Sequence, residues 1–598
     1  MTKQHAWLLI FLAFLFQAKG QTSNYKIGVA RTDITIFKKG AGMLGYSMSF
    51  NVSEGIATRL YARSFVLEDA MKHKVAIVEC ELAFVPSELK QAIVVELQKN
   101  NATKDITEEN FILMAQHTHS GPAGFCHYAA YNMSVPGFIP EIFDHLTQQI
   151  SNSIIEANAN MRPCRIKLNK GFFPDDWEVA FNRSLAAYNR NPDVVKQTFE
   201  NRHKAVNREM TLLHFVGEQD FPIGSINWFG VHATSLSNDN KLINADNKGY
   251  ASLFLEDYYS SINANYVGAF AQGTAGDVTP KFVYNPNRNW QRGYWEGKFS
   301  DDVESAKYNG DLQYKKAKEI IENKEQKEVR KGLIHCALRY YDFSKIKIDT
   351  MYSHTTDIKT TGPSCIGMTM LGGALMDGPA ASPFVVTVGK FWIKMIRKME
   401  MARTLLIEDE RSDRIKLKYR VQGVKPIALE TGEKRLLGTA DVKNHVLPAF
   451  ADPTIAAFKH FDREGALREH SWSPQILPIQ LVQIGDVVLV ALPFEITTTA
   501  GRRLKKGLEN LYAQSGENVQ ELILCPYSNS YSGYMTTFEE YQEQLYEGGH
   551  TVFGEYSLAA LQTVFKDLFL TRHIPFLLDE QKVVPPVFSK EELGKRSF

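Results

Sequence analysis

The chain has 598 residues, of which 44% are hydrophobic and 23% are charged, proportions typical of a globular protein with a large buried core. Lys and Arg together number 68, and Asp and Glu together number 67. Because these charges nearly cancel, the chain has no overall electrostatic field that would attract nucleic acid.

The amino terminus has the pattern of a secretory signal. Lys3 precedes the apolar run 7–16, and small residues follow at positions 18 and 20. This run is too short to cross a bilayer, so we predict a signal peptide over residues 1–20 that is cleaved before Gln21. No later segment of the sequence is long and apolar enough for a membrane span. The sequence therefore predicts a secreted or extracytoplasmic protein, either soluble or in peripheral contact with a membrane.

The cysteines are few and far apart, and no two of them form a Cys-x-x-Cys pair. They are Cys80, Cys126, Cys164, Cys336, Cys365 and Cys525. This spacing argues against a zinc–thiolate site. An exported protein can form disulfides, but the sequence alone gives no pairing. Because Cys80 lies in an apolar run typical of a strand, it is predicted to be a buried free thiol.

Strands and helices alternate through the first half of the chain. Apolar runs predict strands at 25–30, 58–67, 75–80, 223–231 and 266–271, and another that begins at Phe111. Helical spacing of apolar residues predicts helices at 87–99 and 139–157, and a solvated, charged helix at about 313–330. A further helix is predicted at 538–547. Alternation of this kind indicates an α/β layered architecture with mixed β-sheets flanked by helices.

Two of these strands lead into histidines. The strand that begins at Phe111 leads into His117-Thr118-His119, and the strand 223–231 is followed directly by His232. Side chains two residues apart on a strand point to the same face, so His117 and His119 are expected to share one site. One imidazole of such a pair can hold a metal while the other transfers protons. A His-x-His pattern alone fits an ordinary loop histidine equally well.

Other polar groups follow strands in the same way. The strand 266–271 runs into a Gly-rich turn, where Thr279 could present a hydroxyl, although a plain tight turn capped by Asp277 fits too. Strands are predicted at 476–484 and 486–492, joined around Gly485. Glu495 comes next, at the start of a helix. It is either a fourth polar group of the site or a carboxylate favoured by the helix dipole.

Several short blocks, in this order, resemble the neutral/alkaline non-lysosomal ceramidases over about 27–570. The blocks are Ile27–Asp33, Thr58–Arg63, His117–Pro122, Asn182–Ser184, Trp228–His232, Asp246–Ser252, Gly276–Pro280, Phe494–Thr498 and Tyr534–Tyr541. The resemblance implies a zinc amidase that cleaves the N-acyl bond of ceramide, or of a similar N-acyl lipid, to sphingosine and a fatty acid.

The resemblance also implies roles for individual residues. One zinc ion per chain would be bound by His117, His232, Glu495 and Tyr534. His119 would be the neighbouring acid or base, Arg183 an active-site arginine, and Tyr546 a further tyrosine of the pocket. Thr279 stands where the family has a serine, and Lys281 where it has an asparagine. Thr279 would be a catalytic residue, whose hydroxyl either orients the substrate or attacks it directly. A threonine keeps the hydroxyl but adds a methyl group that stiffens its χ1 angle.

Family likeness also sets the expected domain organisation. A catalytic domain is predicted over 21–571, followed by a Pro-rich and charged tail over 572–598. The family's C-terminal β-sandwich is expected to be missing, as is the cysteine-rich insertion that many relatives carry after the Gly276–Pro280 block. Two alternatives stay open: a related zinc hydrolase for another N-acyl amide or ester lipid, and a non-catalytic lipid-binding relative.

Overall fold

Nine strands form the largest sheet. They are β1 (Tyr25–Asp33), β2 (Tyr61–Glu68), β3 (Lys74–Cys80), β4 (Phe111–Ala115), β5 (Arg162–Phe172), β6 (Glu209–Val216), β7 (Pro222–Phe229), β8 (Val267–Gln272) and β9 (Lys327–Glu328). Their order is β8-β7-β6-β5-β1-β2-β3-β4, with β9 beside β5. The pairs β3–β4 and β7–β8 are parallel, and the others are antiparallel.

The computed structural model describes residues 25–132, 135, 137–289, 292–374, 376–379, 381–445, 453–574 and 583–597. The predicted signal peptide lies outside these residues.

The large sheet curls so that its two ends meet. Apolar side chains from both halves share one core, in which the rings of Phe65 on β2 and Phe215 on β6 lie 5.6 Å apart. The side chain of Gln272, at the end of β8, donates a hydrogen bond to the backbone oxygen of Gln116, just beyond β4. The carboxyl ends of β4, β7 and β8 are therefore neighbours, which is where an open α/β sheet forms its ligand sites.

Two pairs of helices cover the outer faces of this sheet. Helices α1 (Ser87–Gln98) and α2 (Pro140–Ala159) pack on the half that contains β1 to β4. Helices α3 (Asp246–Ser260) and α4 (Asp302–Glu322) pack on the other half. The result is the layered α/β architecture that the alternating sequence pattern predicts.

A second sheet packs on the same core. It consists of β10 (Ile334–Asp342), β11 (Ile476–Ile484), β12 (Val487–Ala491) and β13 (Glu521–Cys525), in that order. The predicted hairpin turns at Gly485, whose φ of +60° favours glycine. A Cβ there would lie 2.1 Å from the backbone oxygen of Arg330. The outer face of this sheet contacts α8 (Thr498–Ser515) and α9 (Ser557–Thr571).

Three further helices precede α8. They are α5 (Pro383–Leu406), α6 (Glu410–Gln422) and α7 (Pro453–Arg463). Short helical turns occur at Ala129–Tyr131, Leu185–Tyr188, Arg202–Lys204, Glu218–Asp220, Thr350–Ser353, Met368–Leu371, Phe538–Tyr541, Tyr546–His550 and Lys590–Gly594. Minor strands are Met43–Leu44, Gly55–Ile56, Gly121–Pro122, Phe181–Asn182, Leu242–Ile243, Val278–Thr279, Val283–Tyr284, Trp295–Glu296, Ile366–Gly367, Gly373–Ala374, Gly378–Pro379, Ile427–Glu430, Arg435–Leu436, Glu495–Ile496 and Tyr534–Met535.

Some boundaries differ from the sequence predictions. The charged helix predicted at about 313–330 is α4, which begins earlier and ends at Glu322. The single helix expected at 538–547 is instead two short helices, because Gln544 takes a left-handed conformation with φ of +49° between them. Within 583–597, part of the expected tail, Arg596 is fully buried and donates hydrogen bonds to the backbone oxygen of Ala466.

All six cysteines carry free thiols, and Cys80 is buried, as predicted. No helix among the described residues has the length and apolar character needed to cross a membrane.

Candidate metal centre and active site

Four distant segments bring the predicted metal ligands together. His117 follows β4, His232 follows β7, and Glu495 and Tyr534 pair side by side in two short parallel strands. The carboxylate Oε2 of Glu495 lies 3.3 Å from Nε2 of His117 and 3.1 Å from Nε2 of His232. The hydroxyl of Tyr534 lies 3.3 Å from the same Nε2 of His232. All four side chains are buried.

His117 and His119 share this site, but strand alternation is not the reason, so that part of the sequence argument was wrong. Strand β4 ends at Ala115, and His117 lies in a turn with φ of +77°. Its backbone N–H donates to the oxygen of Leu82 at 2.9 Å. The two Nε2 atoms of His117 and His119 lie 3.2 Å apart, because this turn redirects the chain toward the site.

The ring nitrogens of two histidines are oriented by backbone carbonyls. Nδ1–H of His117 donates to the oxygen of Ala83 at 2.5 Å, and Nδ1–H of His232 donates to the oxygen of Val278 at 2.9 Å. A donor at Nδ1 leaves Nε2 of a neutral imidazole with a lone pair. Burial, with help from the charge of Arg183, lowers the pKa of His232 and so favours its neutral form.

Glu495 stays ionised in this buried position. Its carboxylate accepts hydrogen bonds from the hydroxyls of Tyr531 and, at 3.2 Å, Tyr527. Burial alone would raise its pKa, but the charges and hydrogen bonds of His117 and His232 outweigh burial and hold the pKa well below its ordinary value. The site therefore contains a buried carboxylate that faces the Nε2 atoms of two imidazoles.

Arg183 connects the metal-ligand candidates to a second group of acidic residues. It donates to the hydroxyl of Tyr534 at 3.1 Å, to Asp377 at 2.5 Å, to Glu547 at 2.9 Å and to the backbone oxygen of Gly276 at 2.9 Å. Burial would lower the pKa of Arg183, but Tyr534 and Asp377 outweigh burial and raise this pKa well above its ordinary value. The guanidinium is therefore a permanent, fixed positive charge beside Tyr534.

Thr279 lies on the far side of Asp377. Its hydroxyl donates to Oδ1 of Asp377 at 2.7 Å, and Thr234 donates to the same oxygen at 2.8 Å. Burial would raise the pKa of Asp377, but Arg183 in particular lowers it well below its ordinary value. Lys281 is buried too, and its ammonium donates to the hydroxyl of Ser237 at 3.1 Å rather than to a ligand candidate.

His119 and Tyr546 form the more open side of the site. His119 is 8% exposed, against 3% for His117 and 0% for His232. Within the described part of the chain its Nδ1 has no hydrogen-bond partner. The ring of Tyr46 packs edge-on against it at 4.7 Å. Tyr546 is partly exposed, and its ring lies 5.4 Å from that of Tyr534.

The Gly-rich turn after β8 lets the backbone pass close to Glu495. A Cβ on Gly276 would lie 2.7 Å from the backbone oxygen of Glu495, so a larger residue would move the ligand. Asp277 accepts hydrogen bonds from the backbone N–H of Thr498 at 2.8 Å and from its hydroxyl. It therefore satisfies an N–H in the first turn of α8, whose N-cap residue is Thr497.

Comparison with known proteins identifies the family. The model of the N-terminal region of neutral/alkaline non-lysosomal ceramidases matches residues 25–448 and 461–563. The chain belongs to this family. Neutral ceramidase A of Dictyostelium discoideum is 30% identical over 606 residues, covering 96% of this chain and 76% of the relative. The neutral ceramidase of Pseudomonas aeruginosa is 30% identical over 567 residues, covering 94% of this chain and 74% of the relative.

Solved ceramidase structures have the same fold. The crystal structure of the Pseudomonas aeruginosa neutral ceramidase matches with a TM-score of 0.73 and 28% identity, over 94% of this chain and 77% of that chain. A ceramidase complexed with C2 matches with a TM-score of 0.75 over the same shares. The predicted α/β fold class and the resemblance to the ceramidases, which are hydrolases, are therefore confirmed.

The site also contains residues that the sequence did not single out. Asp377 and Glu547 both bind Arg183, while Tyr527 and Tyr531 both bind Glu495. The only sequence signal for Asp377 was a Gly-rich loop around a lone carboxylate. Its partners are separated from it by 98 residues (Thr279) and 194 residues (Arg183), so only the folded chain reveals the contacts.

Proposed function

We propose that this ceramidase-family chain is a zinc-dependent amidohydrolase that cleaves the N-acyl bond of ceramide to sphingosine and a free fatty acid. One observation carries the proposal. The lone pairs of Nε2 on His117 and His232 converge with the carboxylate oxygen of Glu495, at 3.3 Å and 3.1 Å, while both Nδ1–H groups are used elsewhere. These atoms attract one another only through a shared cation, either a proton on an imidazole or a metal ion, and their spacing favours the metal.

The donor set fits one zinc ion. Zinc bonds to nitrogen and oxygen of about 2.0–2.1 Å at a tetrahedral angle separate neighbouring ligand atoms by roughly 3.3 Å, close to the observed distances. The carbonyl partners of His117 and His232 are typical of histidines that bind metals, because they fix the tautomer and the ring orientation. Tyr534 would complete the set, since its hydroxyl lies 3.3 Å from His232.

His119 fits a proton donor better than a ligand, although the nitrogens of His117, His119 and His232 all lie within 4.8 Å of one another. It is the most exposed of the three, and its Nδ1 is not held by a backbone carbonyl within the described residues. An imidazole that is not held as a metal ligand can carry a proton to the departing amine, which leaves poorly as an anion.

The remaining groups suit the other needs of amide cleavage. When bound, zinc supplies a Lewis acid and increases the acidity of water. Arg183 offers fixed positive charge next to the hydroxyl of Tyr534, where negative charge on a carbonyl oxygen would be stabilised. Tyr546 borders the same space and would help to orient a substrate. Ceramide as the substrate is supported by the relatives, which are named neutral ceramidases.

Thr279 is assigned to positioning rather than to nucleophilic attack. Its hydroxyl donates to Asp377, and Asp377 also binds Arg183, so the hydroxyl helps to fix the guanidinium. We predict that Thr279→Ser keeps nearly full activity. Thr279→Val, which keeps the shape but removes the hydroxyl, should lower kcat about 10- to 100-fold, since a hydrogen bond to a charged group is lost.

Steady-state kinetics on both Thr279 variants, with zinc content measured in parallel, test this role. A Val variant with unchanged kcat would exclude a role for the hydroxyl. A Ser variant that is as impaired as Val would point to the methyl group instead.

A substrate panel with metal removal tests the whole proposal. The purified protein should contain about one zinc per chain, lose N-acylsphingosine hydrolysis on chelation, and regain it with added zinc. The panel should also include N-acylethanolamines and acyl esters, because Thr279 and Lys281 depart from the family pattern. Preference for one of those substrates would support the related hydrolase. A zinc-free protein that binds lipid without cleaving it would support the non-catalytic relative.

The predicted location and domain limits complete the proposal. The signal-like residues 1–20 support export, and we propose a catalytic domain over 21–571 with a tail beyond it. Sequencing of the exported protein from its first residue, expected to be Gln21, tests the cleavage site.

A further inference from the structure

Helix α5 presents an apolar face to solvent. Its side chains Phe384, Phe391, Trp392, Met395, Met399 and Leu406 are between 42% and 84% exposed. Except for the adjacent pair 391 and 392, successive members are separated by three, four or seven residues. They therefore lie along one side of the helix. A continuous exposed stripe of this size marks an interaction surface rather than ordinary scattered exposure.

The opposite face of α5 holds the helix on the protein. Ile393 is buried in a cluster with Met368 and Ala428. Glu400 is buried as well and accepts hydrogen bonds from Lys418 and Tyr419. The inward side of the helix is therefore packed and hydrogen-bonded within the protein. Its outward apolar side is available for a partner outside the described chain.

A row of lysines borders the apolar stripe. Lys390, Lys394 and Lys398 are exposed and spaced four residues apart, so they lie on one flank of the helix. None of the three forms an ion pair with another residue in the part of the chain that the structure describes. The helix has five basic residues and one acidic residue, the buried Glu400. The outward surface is therefore both apolar and positively charged.

This surface lies next to the candidate active site. Asp377, which binds Thr279 and Arg183, precedes the first residue of α5 by only six positions. Gly389 of α5 packs against Met368. The short helix Met368–Leu371, to which Met368 belongs, in turn packs against Gly549, close to Tyr546. A partner bound to α5 would thus sit beside the more open side of the site.

We propose that α5 docks the protein on the surface of a bilayer that contains anionic phospholipids. A helix with aromatic and aliphatic residues on one side and lysines at its flank is typical of helices that lie in the interface. Aromatic rings such as Phe391 and Trp392 favour the headgroup level, and lysines bind anionic headgroups. The docking role rests on the proposed function, because a ceramide substrate would be taken from such a bilayer.

Vesicle binding tests this docking without any ceramide present. Wild type should co-sediment with vesicles of phosphatidylcholine and phosphatidylserine, and more weakly with phosphatidylcholine alone. The triple variant F391S/W392S/M399S should lose at least about tenfold in affinity. K390Q/K394Q/K398Q should lose about 100-fold, and only for vesicles with phosphatidylserine. The matched control M71S/V195S/I262S, at exposed apolar residues elsewhere, should bind as wild type does.

Hydrolysis separates this inference from the proposed function. The α5 variants should cleave a soluble short-chain N-acylsphingosine at the wild-type rate but cleave vesicle-embedded ceramide more slowly. Wild type that cleaves the soluble substrate without binding vesicles overturns the docking and leaves the proposed function intact. Vesicle binding through α5 without cleavage of any N-acyl lipid would support the docking and overturn the proposed function. A wild-type dimer that the apolar triple variant dissociates, with no vesicle binding, would assign the surface to a second copy.

Discussion

Replacing Glu495 with Gln is expected to remove bound zinc and lower kcat/KM on the order of a thousandfold or more. The carboxylate is the negatively charged group that faces Nε2 of His117 and His232, at 3.3 Å and 3.1 Å. A neutral amide of the same shape offers a weaker oxygen ligand, and its NH₂ group would compete for the imidazole lone pairs. Zinc content by mass spectrometry and kinetics on N-acylsphingosine measure both effects.

Glu540→Gln is a suitable control for this experiment. Glu540 is equally buried and accepts hydrogen bonds from Thr497 and Thr537, but it has no contact with the imidazoles. Burial raises its pKa, so an uncharged side chain there should be tolerated. If the Glu495→Gln variant retains stoichiometric zinc and full activity, Glu495 is not a ligand and the proposed centre is wrong.

Arg183→Met is expected to lower kcat about 10²- to 10³-fold while zinc stays bound. The guanidinium donates to the hydroxyl of Tyr534 at 3.1 Å and supplies the fixed positive charge beside it. The loss of one such oxyanion-stabilising group typically has an effect of this size. Lysine should rescue only part of the activity, because one ammonium cannot bind Tyr534, Asp377 and Glu547 at the same time.

A loss of stability must be separated from this catalytic effect. Removal of Arg183 leaves Asp377 and Glu547 buried without their cation, which is expected to destabilise the fold by about 3–5 kcal/mol. The double variant Arg183→Met/Glu547→Gln removes one of these charges and should recover part of the melting temperature without recovering kcat. Recovery of both together would show that Arg183 acts only through folding.

The sequence predicted the fold class because hydrophobic periodicity is local. The sequence predicted strands β1 to β4 and helices α1 and α2 close to their observed positions, because the apolar pattern of each element repeats within a few residues. Predictions were poorer where a single backbone angle decides the outcome, as at Gln544, which divides an expected helix in two. The stretch around α5 has apolar residues at helical spacing, but they face solvent, which no local pattern reveals.

Some residues of the candidate site could be selected from the sequence, whereas others are revealed only by contacts in the folded chain. His117, His232, Glu495 and Tyr534 were selected from the sequence because they lie in short blocks that resemble a known family. Asp377 was not selected, since its role depends on contacts with Thr279 and Arg183. Even for His117 and His119 the geometric reason was wrong, because a left-handed turn rather than strand alternation brings their rings together.

The sequence by itself thus determined which residue types follow the strands of this protein and which family those blocks resemble. Only the tertiary structure decided that the ends of β4 and β7 meet, that Arg183 joins Tyr534 to Asp377, and that α5 shows its apolar side to solvent. The physical reason is that periodicity and turn chemistry act over a few residues. The electrostatic and hydrogen-bonding contacts of the site join residues far apart in the chain, such as Arg183 and Tyr534, which are separated by 351 positions.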